Sequence, residues 1–156
     1  MFAGAALALS ELPMELMDRH DLGRRIRDRG GEREVQFLLS EAERVLPVWC
    51  NGQLQIFRWG NRRGESPYLP CTAWTQLGTI ESGGWGERTI EPVVIPATMG
   101  LDKGVWYRIR QGIRGLVVQD ERGRPRVYVI CEPSSHYYQI MTRGSRWMPQ
   151  LIDERI

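Results

Sequence analysis

Lysine is almost missing from this chain. Lys103 is the only one, and arginine supplies the other 20 of the 21 basic residues. A guanidinium fork binds phosphate bidentately and stacks on flat rings, where an ammonium is a point charge. A GC-rich genome produces the same bias with no functional meaning, so the ratio alone names no partner. Cysteine is scarce too. Cys50, Cys71 and Cys131 form no CxxC pair and have no His-rich neighbour. That argues against both a zinc site and a disulfide framework, and it points to a cytoplasmic protein. Long apolar runs are lacking. Phe2 to Leu9 is apolar, but no basic region precedes it and Glu11 follows at once. It is too short to span a bilayer and a poor signal peptide. Gly83, Gly84 and Gly86 do not open a helix after a strand, so no phosphate-cradling loop is expected. There is no HExxH, no GxSxG and no carboxylate pair at a telling spacing, and no bound cofactor or metal is expected.

What remains is an ordinary globular composition over 156 residues with a net charge of +2. That length predicts one domain, residues 1–156, with a core that needs no staples. No repeat or interdomain linker interrupts it. The charge is too small to argue for a partner, but its distribution is uneven. From Lys103 to Pro149 nine Lys/Arg face only Asp120, Glu121 and Glu132. Trp106, Tyr107, Tyr128, Tyr137, Tyr138 and Trp147 lie in the same stretch. Basic and aromatic residues interleaved on strands suit a nucleic-acid surface. A half-buried sheet with a charged outer face has the same composition.

Local patterns give the expected elements. Ser10-Glu11-Leu12-Pro13 reads as a helix entrance, with apolar spacing carrying the helix to Arg29 and Gly30-Gly31 ending it. Residues 1–31 are therefore expected to form a peripheral, largely helical segment. The mixed Arg and Asp of 19–29 mark a solvated face, with His20 on the surface. Glu34 to Leu39 is a strand candidate. Asn51-Gly52 between Val45–Cys50 and Gln53–Trp59 is the strongest hairpin signal in the chain, since both turn positions require positive φ. Residues 72–80 read as a short helix, 93–97 as a buried strand and 98–103 as a loop. Residues 105–110, 113–119 and 126–131 read as an antiparallel meander. Ser134 is the expected cap of a helix ending near Thr142, with Gly144 as its stop. Leu151 and Ile152 are placed on a last strand. The expected architecture is α+β: an antiparallel, partly barrel-like sheet with peripheral short helices.

Catalytic candidates are few. His136 beside Glu132 has the residue types for acid–base work near neutrality. Its bland counterpart is an exposed residue in a helix's first turn. Cys50 next to an exposed turn is either a reactive thiol or a strand-end packing residue.

The order of several short motifs over residues 35 to 152 resembles the SOS response-associated peptidase (SRAP) family, which processes abasic sites in single-stranded DNA. Leu46-Pro47-Val48-Trp49, the hairpin, and Phe57-Arg58-Trp59-Gly60 are similar to the family's "pvv…mrWG" stretch. Ala73-Trp74-Thr75-Gln76 sits at its "NARxE", and Val94-Ile95-Pro96-Ala97 resembles its "LIPA". Gly104-Val105-Trp106-Tyr107 falls near its "GFYEW" after a few extra residues, and Arg146-Trp147-Met148-Pro149 resembles its "HxRMP". The family uses a cysteine directly after the initiator Met, and here Phe2 stands there. Thr72 and Trp74 fall at the asparagine and arginine of "NARxE", Tyr107 at the "GFYEW" glutamate, and Gly144 or Thr142 at the histidine of "HxRMP". The resemblance thus implies a single-stranded DNA-associated protein with degraded or absent abasic-site crosslinking and peptidase activity. Its DNA surface would include Arg58, Trp59, Arg62, Arg63, Trp74, Arg108, Arg110, Arg143 and Arg146. Two alternatives stay open: an active abasic-site-processing enzyme with a relocated nucleophile, for which Cys50, Glu132 and His136 are the candidates, and a non-catalytic protein-interaction module.

Overall fold

The computed structural model describes residues 1–154. It is a mixed α+β fold in which strand far outweighs helix. In chain order the strands are β1 (Phe2–Ala8), β2 (Ile26–Arg29), β3 (Glu32–Leu38), β4 (Val45–Cys50), β5 (Gln53–Trp59), β6 (Trp74–Gln76), β7 (Ile90–Ile95), β8 (Met99–Asp102), β9 (Val105–Arg108), β10 (Ile113–Gln119), β11 (Pro125–Pro133) and β12 (Trp147–Pro149). Three short helices, α1 (Met14–Arg19), α2 (Leu77–Glu81) and α3 (His136–Met141), lie outside the sheets.

Five strands in the order β2-β3-β1-β8-β9 form an antiparallel half-barrel. Its first and last strands are drawn together by the Arg29 guanidinium, which stacks 4.8 Å from the centre of the Trp106 ring. The other sheet runs β10-β7-β4-β5-β11-β12, with β6 also beside β11. It is antiparallel except where β5 and β6 meet β11. β10 and β11 also pair directly, with Gln119 opposite Pro125, and this closes β10-β7-β4-β5-β11 into a five-stranded barrel.

The N-terminal segment departs most from expectation. Phe2–Ala8 is the central strand of the half-barrel, not a peripheral helical stretch. It does not alternate, because both of its faces are covered. Its residues are small because the neighbours are close: a Cβ on Gly4 would meet Leu38 Cδ2 at 2.9 Å and the Phe37 carbonyl at 3.1 Å. The helix after Pro13 lasts six residues. Asp21 then takes a left-handed conformation (φ 51°), a short 3₁₀ turn follows, and the chain enters β2. Gly30-Gly31, at φ 60° and 90°, turns β2 into β3 and ends no helix.

Asn51-Gly52 makes the expected hairpin, at φ 53° and 75°. Lys103-Gly104 makes another, at φ 47° and 77°, so that 99–102 is strand where a loop was expected. Consequently β9 pairs with β8 in the half-barrel and not with β10, and the expected three-stranded meander is only the β10–β11 hairpin. Residues 72–80 divide into β6 and the start of α2. Ser135, one residue after the expected cap, accepts from the Tyr138 N–H at the start of α3. The last strand comes earlier than expected: it is β12, and Leu151 adds only an isolated bridge to Ile113.

One core joins the sheets around Phe2, Phe37, Leu46, Ile95 and Trp59. Gly60 follows Trp59 at φ 65°, and a Cβ there would sit 2.5 Å from the Thr72 carbonyl oxygen and 2.7 Å from Ala73 Cα. Backbone lies on both sides of the clash and the dihedral disfavours a side chain. Gly60→Ala is therefore expected to cost about 3 kcal/mol, read as a lowered urea midpoint with unchanged slope. A midpoint within error of the parent would show that Thr72 and Ala73 move aside.

Candidate functional site

At the open end of β1 four distant parts of the chain converge on one buried carboxylate. Asp102 is the last residue of β8, held there by the Lys103-Gly104 turn, and is fully buried. The α-amine of Met1 lies 2.9 Å from its Oδ1. Ser145 donates its hydroxyl to the same oxygen at 2.7 Å and accepts from the Met1 amine at 3.4 Å. The Tyr138 hydroxyl donates to Oδ2 at 2.8 Å. The Tyr107 hydroxyl lies 3.1 Å from that of Tyr138, the two rings packing edge to face.

The supports are local. Thr142 donates to the Tyr138 carbonyl at 2.6 Å and accepts from the Ser145 N–H at 3.3 Å, so the end of α3 fixes Ser145. Burial pushes both phenols up, leaving them protonated donors across the working pH range. A carboxylate with two hydroxyl donors and a cation beside it meets the condition for burying charge. The Met1 side chain is about 30% exposed.

Around this cluster lie basic and aromatic groups from other segments. Lys103 follows Asp102 and reaches the Arg143 carbonyl at 3.5 Å. Arg143 and Arg146, on either side of Ser145, are exposed. The Trp74 indole donates to the Phe2 carbonyl at 3.0 Å. Arg62 donates to the Leu39 carbonyl, and the Leu39 N–H in turn bonds Ala3. Thus Trp74, Arg62, Arg143 and Arg146, all expected on a nucleic-acid surface, are tied to the segments that hold Met1 and Asp102.

The other expected surface residues go elsewhere. Trp59 is wholly inside, donating to the Ala73 carbonyl at 3.0 Å with its ring against Phe2. It offers no ring to a ligand, so that expectation is corrected. Arg58 points to Glu65 at 3.5 Å, on a cavity of about 500 Å³ that also holds Arg122, Arg124 and Arg126. Arg63 is exposed in the adjoining loop. Arg108 and Arg110 line a different cavity, of about 540 Å³.

The catalytic candidates are not brought together. Cys50 is buried, and burial together with the Glu91 carboxylate 4.0 Å away pushes its thiol up, away from thiolate chemistry. His136 is exposed in the first turn of α3, Glu132 is half-buried on β11, and no hydrogen bond joins them. Cys131 is buried, with its thiol raised to about 11 mainly by burial. Among the described residues no group of three or more His, Cys, Asp or Glu has metal-binding geometry. No helix there is long and apolar enough to cross a membrane.

Sequence reasoning missed Asp102 and Ser145 entirely. Asp102 sits in what reads as a loop, and Ser145 in a Gly-Ser turn. No local pattern marks either as a site residue. Compared with known proteins, the chain matches no family model, no curated protein and no solved structure.

Proposed function

We propose that this chain is a cytoplasmic, SRAP-like protein that associates with single-stranded DNA, needs no cofactor, and lacks the thiol chemistry of that family. The observation that carries the reading is the clustering of Trp74, Arg62, Lys103, Arg143 and Arg146 around the segments holding Met1 and Asp102. Cations of this kind hold a single strand by its phosphates, and a half-buried indole gives a base a flat face. Phe2 cannot form a thiazolidine, and Cys50 is buried on β4, in the other sheet.

The prediction is salt-sensitive binding of a mixed-sequence 15-mer, followed by fluorescence anisotropy. The log–log salt slope should be about −0.7 for each phosphate contact made. Replacing Arg143 and Arg146 together by alanine is expected to weaken binding and flatten the slope by more than one unit. Absence of binding at low salt would end this reading.

The Met1 amine favours a second reading, in which an aldehyde is captured without thiol. With Met1 as the first residue, its amine in the neutral form attacks the carbonyl carbon of a ring-opened abasic sugar. The resulting carbinolamine loses water to give an imine, and Asp102 and Ser145 accept and return the protons. Borohydride reduces the imine to a stable secondary amine. An abasic oligonucleotide plus borohydride should give a slow-migrating species on a denaturing gel, with the added mass on residue 1. A variant carrying two residues ahead of Met1 should give none. No adduct with the parent protein, or equal trapping by the extended variant, would leave only the non-covalent reading.

A further inference from the structure

A second set of groups, near the cluster but not part of it, has the composition of a strand-binding track. Along the end of β9 the side chains alternate: Tyr107 and Ile109 are buried, while Arg108 and Arg110 face out on one side. None of the ion pairs among the described residues involves either arginine. Opposite them α3 buries Tyr138 and presents Tyr137, a residue 63% exposed. Tyr137, Tyr107, Met141 and the two arginines line the cavity of about 540 Å³, in the range that takes one small ligand.

Asp153 and Glu154 also line this cavity, and Glu154 accepts from the Arg110 backbone N–H at 2.9 Å, which leaves the Arg110 guanidinium itself without that partner. Arg110 also lines a neighbouring cavity of about 360 Å³, whose wall includes Trp49 and Leu54. Those two residues are a cross-strand pair of β4 and β5, and Trp49 is 47% exposed. An outward tryptophan and an outward tyrosine therefore stand on either side of one arginine that makes no ion pair among the described residues.

We infer that Tyr137 and Trp49 are stacking platforms for two unpaired bases of one strand, with Arg110 between them on the backbone phosphate and Arg108 beside Tyr137. This rests on the single-strand reading above and adds to it a path away from the Met1 cluster, marked by residues outside that cluster. A single-stranded nucleic acid suits the track better than an apolar peptide. The two rings are separated by cations, not joined by further apolar surface, and a base stacks on any flat ring whatever its sequence.

The test is anisotropy titration of a labelled 15-mer with the full chain. Tyr137→Ala and Trp49→Ala should each weaken binding roughly tenfold with an unchanged salt slope, the loss of one stacked base. Tyr137→Phe should bind as the parent does, since the ring remains. Arg110→Ala should make the slope shallower by about 0.7. Tyr68→Ala, an exposed ring elsewhere, should change nothing. All of these positions are solvent-facing, so circular dichroism is expected to report folded variants. If the parent binds and the two ring-deletion variants bind equally well, the track is wrong while the single-strand reading stands. If the parent does not bind, both fall. Unchanged DNA binding with lost self-association, by light scattering, would give the rings to a protein contact and overturn the track.

Discussion

Replacing Glu65 by glutamine should lower the unfolding free energy by about 3 kcal/mol. Arg44 is almost wholly buried on the stretch before β4, and both ends of its guanidinium fork go to Glu65, at 3.1 and 2.7 Å. Arg126, also buried, reaches the same carboxylate at 3.1 Å, along with Asp120 at 3.3 Å and the Gly60 carbonyl at 3.1 Å. The Arg62 N–H adds a contact at 3.2 Å. The substitution leaves Arg44 as an uncompensated charge in the interior, and breaking one side of a buried pair is the expensive case. Glu65 is itself a quarter exposed, which puts the expected loss at the lower end of the usual range.

The same site predicts a pH dependence. Hydrogen bonds from Arg44, first among several donors, hold the Glu65 carboxyl at about 2, against an ordinary 4.5. A depressed carboxyl adds stability that is complete above the unfolded value and disappears as pH falls through the folded one. The gap in stability between the parent and Glu65→Gln should therefore be constant above about pH 4.5 and close as pH drops towards 2. Urea midpoints at a series of pH values measure it. A gap that stays constant down to pH 2 would refute this account of the network.

Asp102→Ala is the second large effect expected, again about 3 kcal/mol. It strips the partner from the Met1 ammonium, the Ser145 hydroxyl and the Tyr138 phenol together. Asp102→Asn keeps the shape and one acceptor oxygen and should cost less. Tyr138→Phe, removing a single donor, should cost about 1 kcal/mol. Thermal unfolding ranks the three. On the aldehyde-capture reading, Asp102→Asn should also lose borohydride trapping while remaining folded at the assay temperature. Full trapping by that variant would show that the carboxylate does not serve the amine.

The Asn51-Gly52 hairpin, the β10–β11 hairpin, the helix starting near Ser135 and the α+β class were all legible, because turn chemistry is local and carries its own signal. Gly30-Gly31 shows the limit. Two glycines at positive φ suit a helix stop and a hairpin equally, and pairing with β3 decided between them. β1 was hidden because a strand covered on both faces and built of alanine shows neither alternation nor β-branched residues. β8 was hidden because its turn uses Lys103, a residue seldom found at positive φ. Trp59 was misjudged because neighbouring arginines suggested a surface, and its ring turns inward.

By itself the sequence determined the Asn51-Gly52 and β10–β11 turns, the α+β class and the basic, aromatic bias after residue 102. Only the tertiary structure decided which of those residues share a site. Met1 and Ser145 are 144 positions apart in the chain and meet at one carboxylate. No local pattern encodes such a meeting, because it is set by strand order and register in the half-barrel that holds β1 and β8. The low dielectric around Asp102 then makes every unpaired alternative costly and holds those four groups in place.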